Sequence, residues 1–237
     1  MIYLLYIDRA HQADPIFWKG LGRAIATAKG LRAIVVHGGG DRVEQRFEAE
    51  GLPYARGSEA RDPRHAAELV ERTLREENHR IVSALTELMV PAVGLHGIDR
   101  GLLTEDVSGT MTSRGAHRVG ELTLQGAFPV ISTLVSGPVG YPREGAVHRA
   151  VVALYREMEN NVISVVVFGN KGRPGIAKKG AWRERIEWKE LMSIGVLPDS
   201  TEVGLILAEG LPVFLTSAVG LVTEPTAIGT WINPRQL

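Results

Sequence analysis

The chain contains no cysteine. Disulfides, thiolate nucleophiles and cysteine-type zinc sites are therefore excluded, and the composition fits a cytoplasmic protein. There is no excess of charge of either sign: 27 Lys and Arg balance 27 Asp and Glu. Such a balance gives no global attraction to nucleic acid or to an anionic membrane. No apolar run reaches the length of a membrane span. The opening MIYLLYIDRA has no basic region ahead of its short apolar stretch, so it reads as a first strand and not as a signal peptide. Internal repeats and low-complexity tracts are absent. So are a G-x-x-x-x-G-K-[ST] loop, a G-x-S-x-G elbow and any histidine pair at metal-ligand spacing.

What remains is ordinary globular usage, 44% hydrophobic and 23% charged over 237 residues, enough for a single domain with one large core. Short apolar runs predict buried strands at Ile2–Ile7, Ala33–Val36, Ala92–Leu95, Phe128–Val135, Val162–Phe168 and Pro212–Thr216. Asp14-Pro15 and Asp62-Pro63 are helix starts, with Asp as N-cap and Pro in the first turn. Further helices are expected over Asp41–Glu50, Val147–Met158 and Ser200–Glu209, the last capped by Asp199 in an Asp-x-x-Glu pattern. The polar, glycine-punctuated stretch Thr104–Leu124 reads as short strands or loops. Alternation of strands and helices predicts a mostly parallel sheet covered on both faces. Ligands in such sheets collect beyond the carboxyl ends of the strands, which singles out the loops at 8–14, 37–41, 96–101, 136–146 and 169–175.

The most distinctive of these is His37-Gly38-Gly39-Gly40, between a strand and a helix. Three residues without Cβ let backbone N–H groups approach an anion at the positive end of a helix dipole. The same run also serves as a tight turn with no ligand, and Asp41 with Glu44 forms a capping pattern that would satisfy some of those N–H groups. His37 is a candidate donor to an oxyanion or a packing residue. The loop His96-Gly97-Ile98-Asp99-Arg100-Gly101 is a second candidate wall of the same crevice.

In order along the chain, Val35-Val36-His37-Gly38-Gly39-Gly40, Ala92-Val93-Gly94-Leu95-His96-Gly97-Ile98-Asp99-Arg100-Gly101-Leu102-Leu103, Arg118-Val119-Gly120-Glu121-Leu122 and Ile228-Gly229-Thr230-Trp231-Ile232 resemble segments of the amino acid kinase family, and of its acetylglutamate kinases in particular. The resemblance implies a three-layer α-β-α sandwich with a mostly parallel open central sheet. It implies ATP-dependent transfer of a phosphoryl group to the side-chain carboxylate of an N-acylated amino acid, as in arginine biosynthesis, with Mg2+, in a cytoplasmic homodimer. Residues 1–140 would form a substrate-binding half and 141–237 a nucleotide-binding half. The glycine turn with His37, Arg56, Arg61 and Asn78 would face the substrate. Gly169, Lys171, Gly172 and Arg173 would face the nucleotide, or form a solvated basic turn.

The departures from the family pattern fall on the chemistry. Where the family carries a lysine and two glycines after the first strand, this chain has Asp8-Arg9-Ala10-His11; Arg9 and His11 are the candidate replacement cations. Where a second lysine is expected, Asp199 follows Pro198. In place of the N-x-N-A-D segment stands Pro142-Arg143-Glu144-Gly145-Ala146, whose one acid is out of register. Phosphoryl transfer depends on cations where charge develops. The expectation is an acetylglutamate kinase-like protein of altered or reduced activity, or a catalytically silent member that binds a small ligand as a regulatory or partner subunit.

Overall fold

The computed structural model describes residues 2–28, 30–53, 63–137, 140–178, 181–223 and 227–233. Its strands are β1 (Ile2–Tyr6), β2 (Ala33–His37), β3 (Ala92–His96), β4 (Leu103–Glu105), β5 (Met111–Ser113), β6 (Phe128–Ser132), β7 (Leu134–Ser136), β8 (Pro142–Glu144), β9 (Val162–Phe168), β10 (Ala177–Lys178), β11 (Ala181–Trp182), β12 (Arg185–Glu187), β13 (Val213–Thr216) and β14 (Thr230–Asn233). The helices are α1 (Arg9–Ala13), α2 (Pro15–Thr27), α3 (Arg42–Ala49), α4 (Pro63–Thr86), α5 (Ala116–Leu124), α6 (Val147–Glu157), α7 (Trp188–Ile194), α8 (Ser200–Ala208) and α9 (Ala218–Leu221).

Eight strands form one sheet in the order β12-β14-β13-β9-β1-β2-β6-β3. From β13 to β3 all neighbours are parallel, and β14 turns antiparallel against β13. The period of two along β1 sorts its side chains onto two cores. Ile2, Leu4 and Tyr6 join α5, α6, α7 and α8 on one face; Leu5 and Ile7 join Trp18, Leu21 and Ile25 of α2 and Ile81 and Leu85 of α4 on the other. Each such fully buried Leu or Ile contributes about 1.5–3 kcal/mol relative to an exposed one. The result is the three-layer sandwich. Sheet order puts β1 between β9 and β2, so the loops that follow these three strands lie side by side at one edge.

Local signals explain the helix ends. Asp14 accepts from the Ile16 N–H at 2.8 Å with Pro15 in the first turn, and Asp199 accepts from the Glu202 N–H at 3.1 Å. Other expectations are corrected. The apolar run Phe128–Val135 is two strands: β6 stays in the large sheet, and after Thr133 β7 enters a four-stranded sheet of order β5-β4-β7-β8. Residues 116–124 form a helix, with Ala116, Val119 and Thr123 buried among polar neighbours. The strand β3 ends the sheet, and Val93 and Gly94 are exposed. Asp41 makes no capping hydrogen bond to α3. Among the described residues, no helix is long and apolar enough to cross a membrane.

Candidate functional site

The chain leaves β1 at Asp8, whose side chain accepts from the His11 N–H at 3.0 Å and faces the His11 ring Nδ1 at 2.6 Å. That clasp winds residues 9–13 into a single helical turn and fixes both candidate cations. The His11 ring is drawn toward Phe17 and Phe168, with centroids 4.7 and 5.9 Å away. Its ring is absent from the walls of the cleft in front of the turn. Arg9 points the other way and donates to the Gly40 carbonyl at 3.2 Å. It also reaches Asp41 at 3.5 Å and Glu44 at 2.5 Å. The two acids that looked like a helix cap therefore pair with Arg9.

Beneath the turn, Gln12 is buried and donates to the Gly38 carbonyl at 2.8 Å and to Glu77 at 3.0 Å. Glu77, 2% exposed, also accepts from Arg42 at 2.8 Å and Arg80 at 2.6 Å. Arg80 and the Trp18 indole both donate to the Gln12 carbonyl at 2.9 Å. This network ties α1, α2, α3 and α4 to the turn from below. Burial alone would raise the Glu77 pKa, but the hydrogen bonds from Arg80 and Gln12 and the charges of Arg80 and Arg42 outweigh it, and the net shift is downward.

His37 lies wholly inside the protein. Its Nδ1 donates to the Gly38 carbonyl at 2.8 Å and its Nε2 accepts from Asn78 at 3.1 Å. Desolvation holds its pKa down at about 4, against the opposing hydrogen bond to Gly38. The ring is a neutral strut, and the expectation of a donor to a bound oxyanion is corrected accordingly. Asn78, also buried, donates to the Val130 carbonyl at 2.9 Å and the Leu95 carbonyl at 3.2 Å. It stitches β2, β6 and β3 together instead of facing a substrate. A Cβ on Gly94 would collide with its Oδ1, which explains that glycine.

The turn itself is filled from within the chain. Gly39 donates its N–H to Glu144 Oε1 at 2.8 Å. A Cβ on Gly38 would stand 2.8 Å from the same oxygen, and one on Gly39 would run into Val43. Gly40 has φ +60°, the left-handed region that favours glycine, with Gln12 behind it. Glycine is thus required here for close approach, as the motif suggests, and the group that approaches is a carboxylate of the protein.

In front of the turn lies a small cleft, bounded by the loop after β1, Gly38, Gly40, Val147 and the start of α8. Its charged lining comprises Asp8, Asp199, Glu202 and the already paired Arg9. Tyr6 donates to Asp199 at 2.9 Å, and burial together with that carboxylate pushes the phenol far above its ordinary range. Glu202 pairs with His148. No group of three or more His, Cys, Asp or Glu among the described residues is placed to hold a metal ion. Among the described residues the cleft offers the phosphate end of ATP no unpaired basic side chain, since Arg9 is already paired.

Arg56 and Arg61 fall outside the described residues. Gly169, Gly172 and Arg173 follow β9, and the Gly169 N–H is bound by the Thr216 carbonyl at 3.1 Å; of Lys171 only the backbone, in the short 3-10 turn, is described. Gly169, Gly172 and Arg173 do not line the cleft. The loop 96–101 does not line it either: His96 Nδ1 pairs with Ser132 Oγ at 2.7 Å, and Asp99 accepts the His96 N–H at 3.0 Å. Conversely, Gln12, Arg42, Glu77 and Arg80 support the turn although no motif in the sequence marks them.

The fold is a three-layer α/β sandwich with a glycine turn at the carboxyl end of a parallel strand. The chain belongs to the amino acid kinase family, whose model matches residues 11–169. It is similar to the acetylglutamate kinase of Chloroflexus aggregans, at 37% identity over 92 residues, 38% of this chain and 36% of that protein. The match therefore spans about a third of the length of that relative. Among solved structures it resembles an isopentenyl phosphate kinase, with TM-score 0.68 at 13% identity over 98% of this chain and 100% of that one. It also resembles the N-acetylglutamate synthase of Neisseria gonorrhoeae complexed with coenzyme A and N-acetylglutamate, with TM-score 0.67 at 16% identity over 100% and 60% of the two chains. At these identities the structural likeness concerns the fold alone.

Proposed function

We propose that this chain is an acetylglutamate kinase-like protein in which ATP-dependent phosphoryl transfer to the side-chain carboxylate of an N-acylated amino acid is reduced to a residual activity. Family membership and the 92-residue similarity support the ligand class. The observation that carries the reduction is the Glu144 carboxylate on the Gly39 N–H, in the turn that would otherwise offer donors to developing charge. Loss of one such donor costs roughly 10²–10³ in kcat. Purified protein and the Chloroflexus aggregans acetylglutamate kinase, assayed side by side for ADP release with N-acetylglutamate, should differ at least about 100-fold. Rates within tenfold of each other would sink the reading.

A second reading, a catalytically silent subunit that binds a small ligand and regulates a partner, is favoured by Arg9. The only basic side chain lining the cleft among the described residues is already paired with Asp41 and Glu44. It is the better description if N-acetylglutamate or ATP raises the melting temperature while no ADP is released.

A further inference from the structure

We infer that Glu144 sets the ligand specificity of the glycine turn: its carboxylate is a built-in occupant of the Gly39 N–H, so the turn rejects phosphate groups and takes a ligand only through a neutral or cationic group. This deepens the proposal of reduced phosphoryl transfer and rests on it.

The argument is geometric. Glu144 ends β8, which pairs with β7 so that Leu134 faces Glu144 and Val135 faces Arg143. The Gly145 N–H donates to the Thr133 carbonyl at 2.7 Å, and the Thr133 N–H to the His37 carbonyl at 2.9 Å. The carboxylate is thereby carried from a distant part of the chain onto the turn, where it is 8% exposed. Thr133 is fully buried, and its Oγ1 has no hydrogen-bond partner among the described residues. That hydroxyl lies 3.8 Å from the point where a Gly38 side chain would begin, and Glu144 Oε1 lies 2.8 Å from it. Glu144 therefore occupies the Gly39 N–H, the donor that an anion at this turn would need. A phosphate oxygen arriving there meets a like charge in a poorly solvated place, which is strongly unfavourable. Asp8, Asp199 and Glu202 on the walls add the same sign.

The test is the titration of Glu144→Gln and Glu144→Ala with inorganic phosphate by calorimetry, alongside the wild type, after circular dichroism and cooperative melting establish that each is folded. Both variants should bind phosphate at least about tenfold more tightly than the wild type, and Glu144→Ala more tightly than Glu144→Gln, since it also frees the Gly39 N–H. Folded variants without any gain, or a wild type that binds phosphate equally well, overturn the inference. The wild type supplies a second measurement that needs no variant: added phosphate must leave the Gly38, Gly39 and Gly40 amide resonances in place, and their displacement by phosphate refutes it. These readouts are separate from turnover. A fast wild-type kinase defeats the proposed function, and phosphate binding at the wild-type turn defeats this one.

Discussion

Between pH 6.5 and about 4 the folded protein should lose on the order of 3 kcal/mol of stability through His37 alone. The sign follows from where the proton binds. In the unfolded chain the imidazole titrates near 6.5, while in the fold burial holds it neutral down to about 4. Within that window the unfolded state takes up a proton that the native state refuses, so stability falls as pH falls, and the loss is complete once the folded-state value is passed. Urea unfolding from neutral pH down to about 4 would show the slope. The variant His37→Gln should make it shallower, because the most strongly shifted histidine is gone while His96, also lowered by burial, remains. A variant with the same slope as the wild type would remove His37 from the account. Given total stabilities of roughly 5–15 kcal/mol, this one ring decides much of the acid tolerance.

Glu77→Ala should cost about 1–3 kcal/mol, the usual consequence of leaving a buried hydrogen-bond donor without its partner. The carboxylate joins Gln12, Arg42 and Arg80. Without it, Arg80 and the Gln12 amide lose an acceptor inside the protein. The midpoint of urea unfolding should drop at unchanged m-value. A loss below about 1 kcal/mol, the scale of an exposed pair, would show that the network is ornamental. Its pH signature differs from that of His37. The Glu77 pKa is lowered from 4.5, so its contribution is fully present above that value and fades as pH falls through the lower, folded-state value. Acid unfolding should have two limbs, and His37→Gln should shrink the upper one only, since the His96 pKa is also lowered by burial.

Much of the scaffold could be read from the chain because its signals are local. Asp14-Pro15 and Asp199 mark helix starts through hydrogen bonds that span only two or three residues. The buried strands announce themselves as apolar runs. The sequence is silent where a long-range choice overrides a local pattern. Nothing in Phe128–Val135 says that the chain changes sheets at Thr133, since both parts are buried and equally apolar. The α5 helix was hidden because Glu121, Arg118 and His117 dilute its apolar stripe. In the site the division is the same. Three glycines identify the turn, but the residue on it comes from 105 positions away, and Gln12 meets Glu77 across 65. Glu144 was visible as the lone acid of its segment. Its place on the turn depends on hairpin register, which residue type does not encode.

That register has a further consequence, for the evolution of site charge. Successive residues of β8 project to opposite faces, so a one-residue slip exchanges every side chain. The hairpin between Ser136 and Pro142 is closed by the Gly137 N–H on the Tyr141 carbonyl at 2.8 Å. Shortening or lengthening that connection by one residue would present Arg143 or Gly145 to Gly39 in place of Glu144, putting a guanidinium or a vacancy where a carboxylate now rests. The length of a surface connection, and no substitution in the glycine turn itself, therefore decides the sign of the charge that an incoming ligand meets.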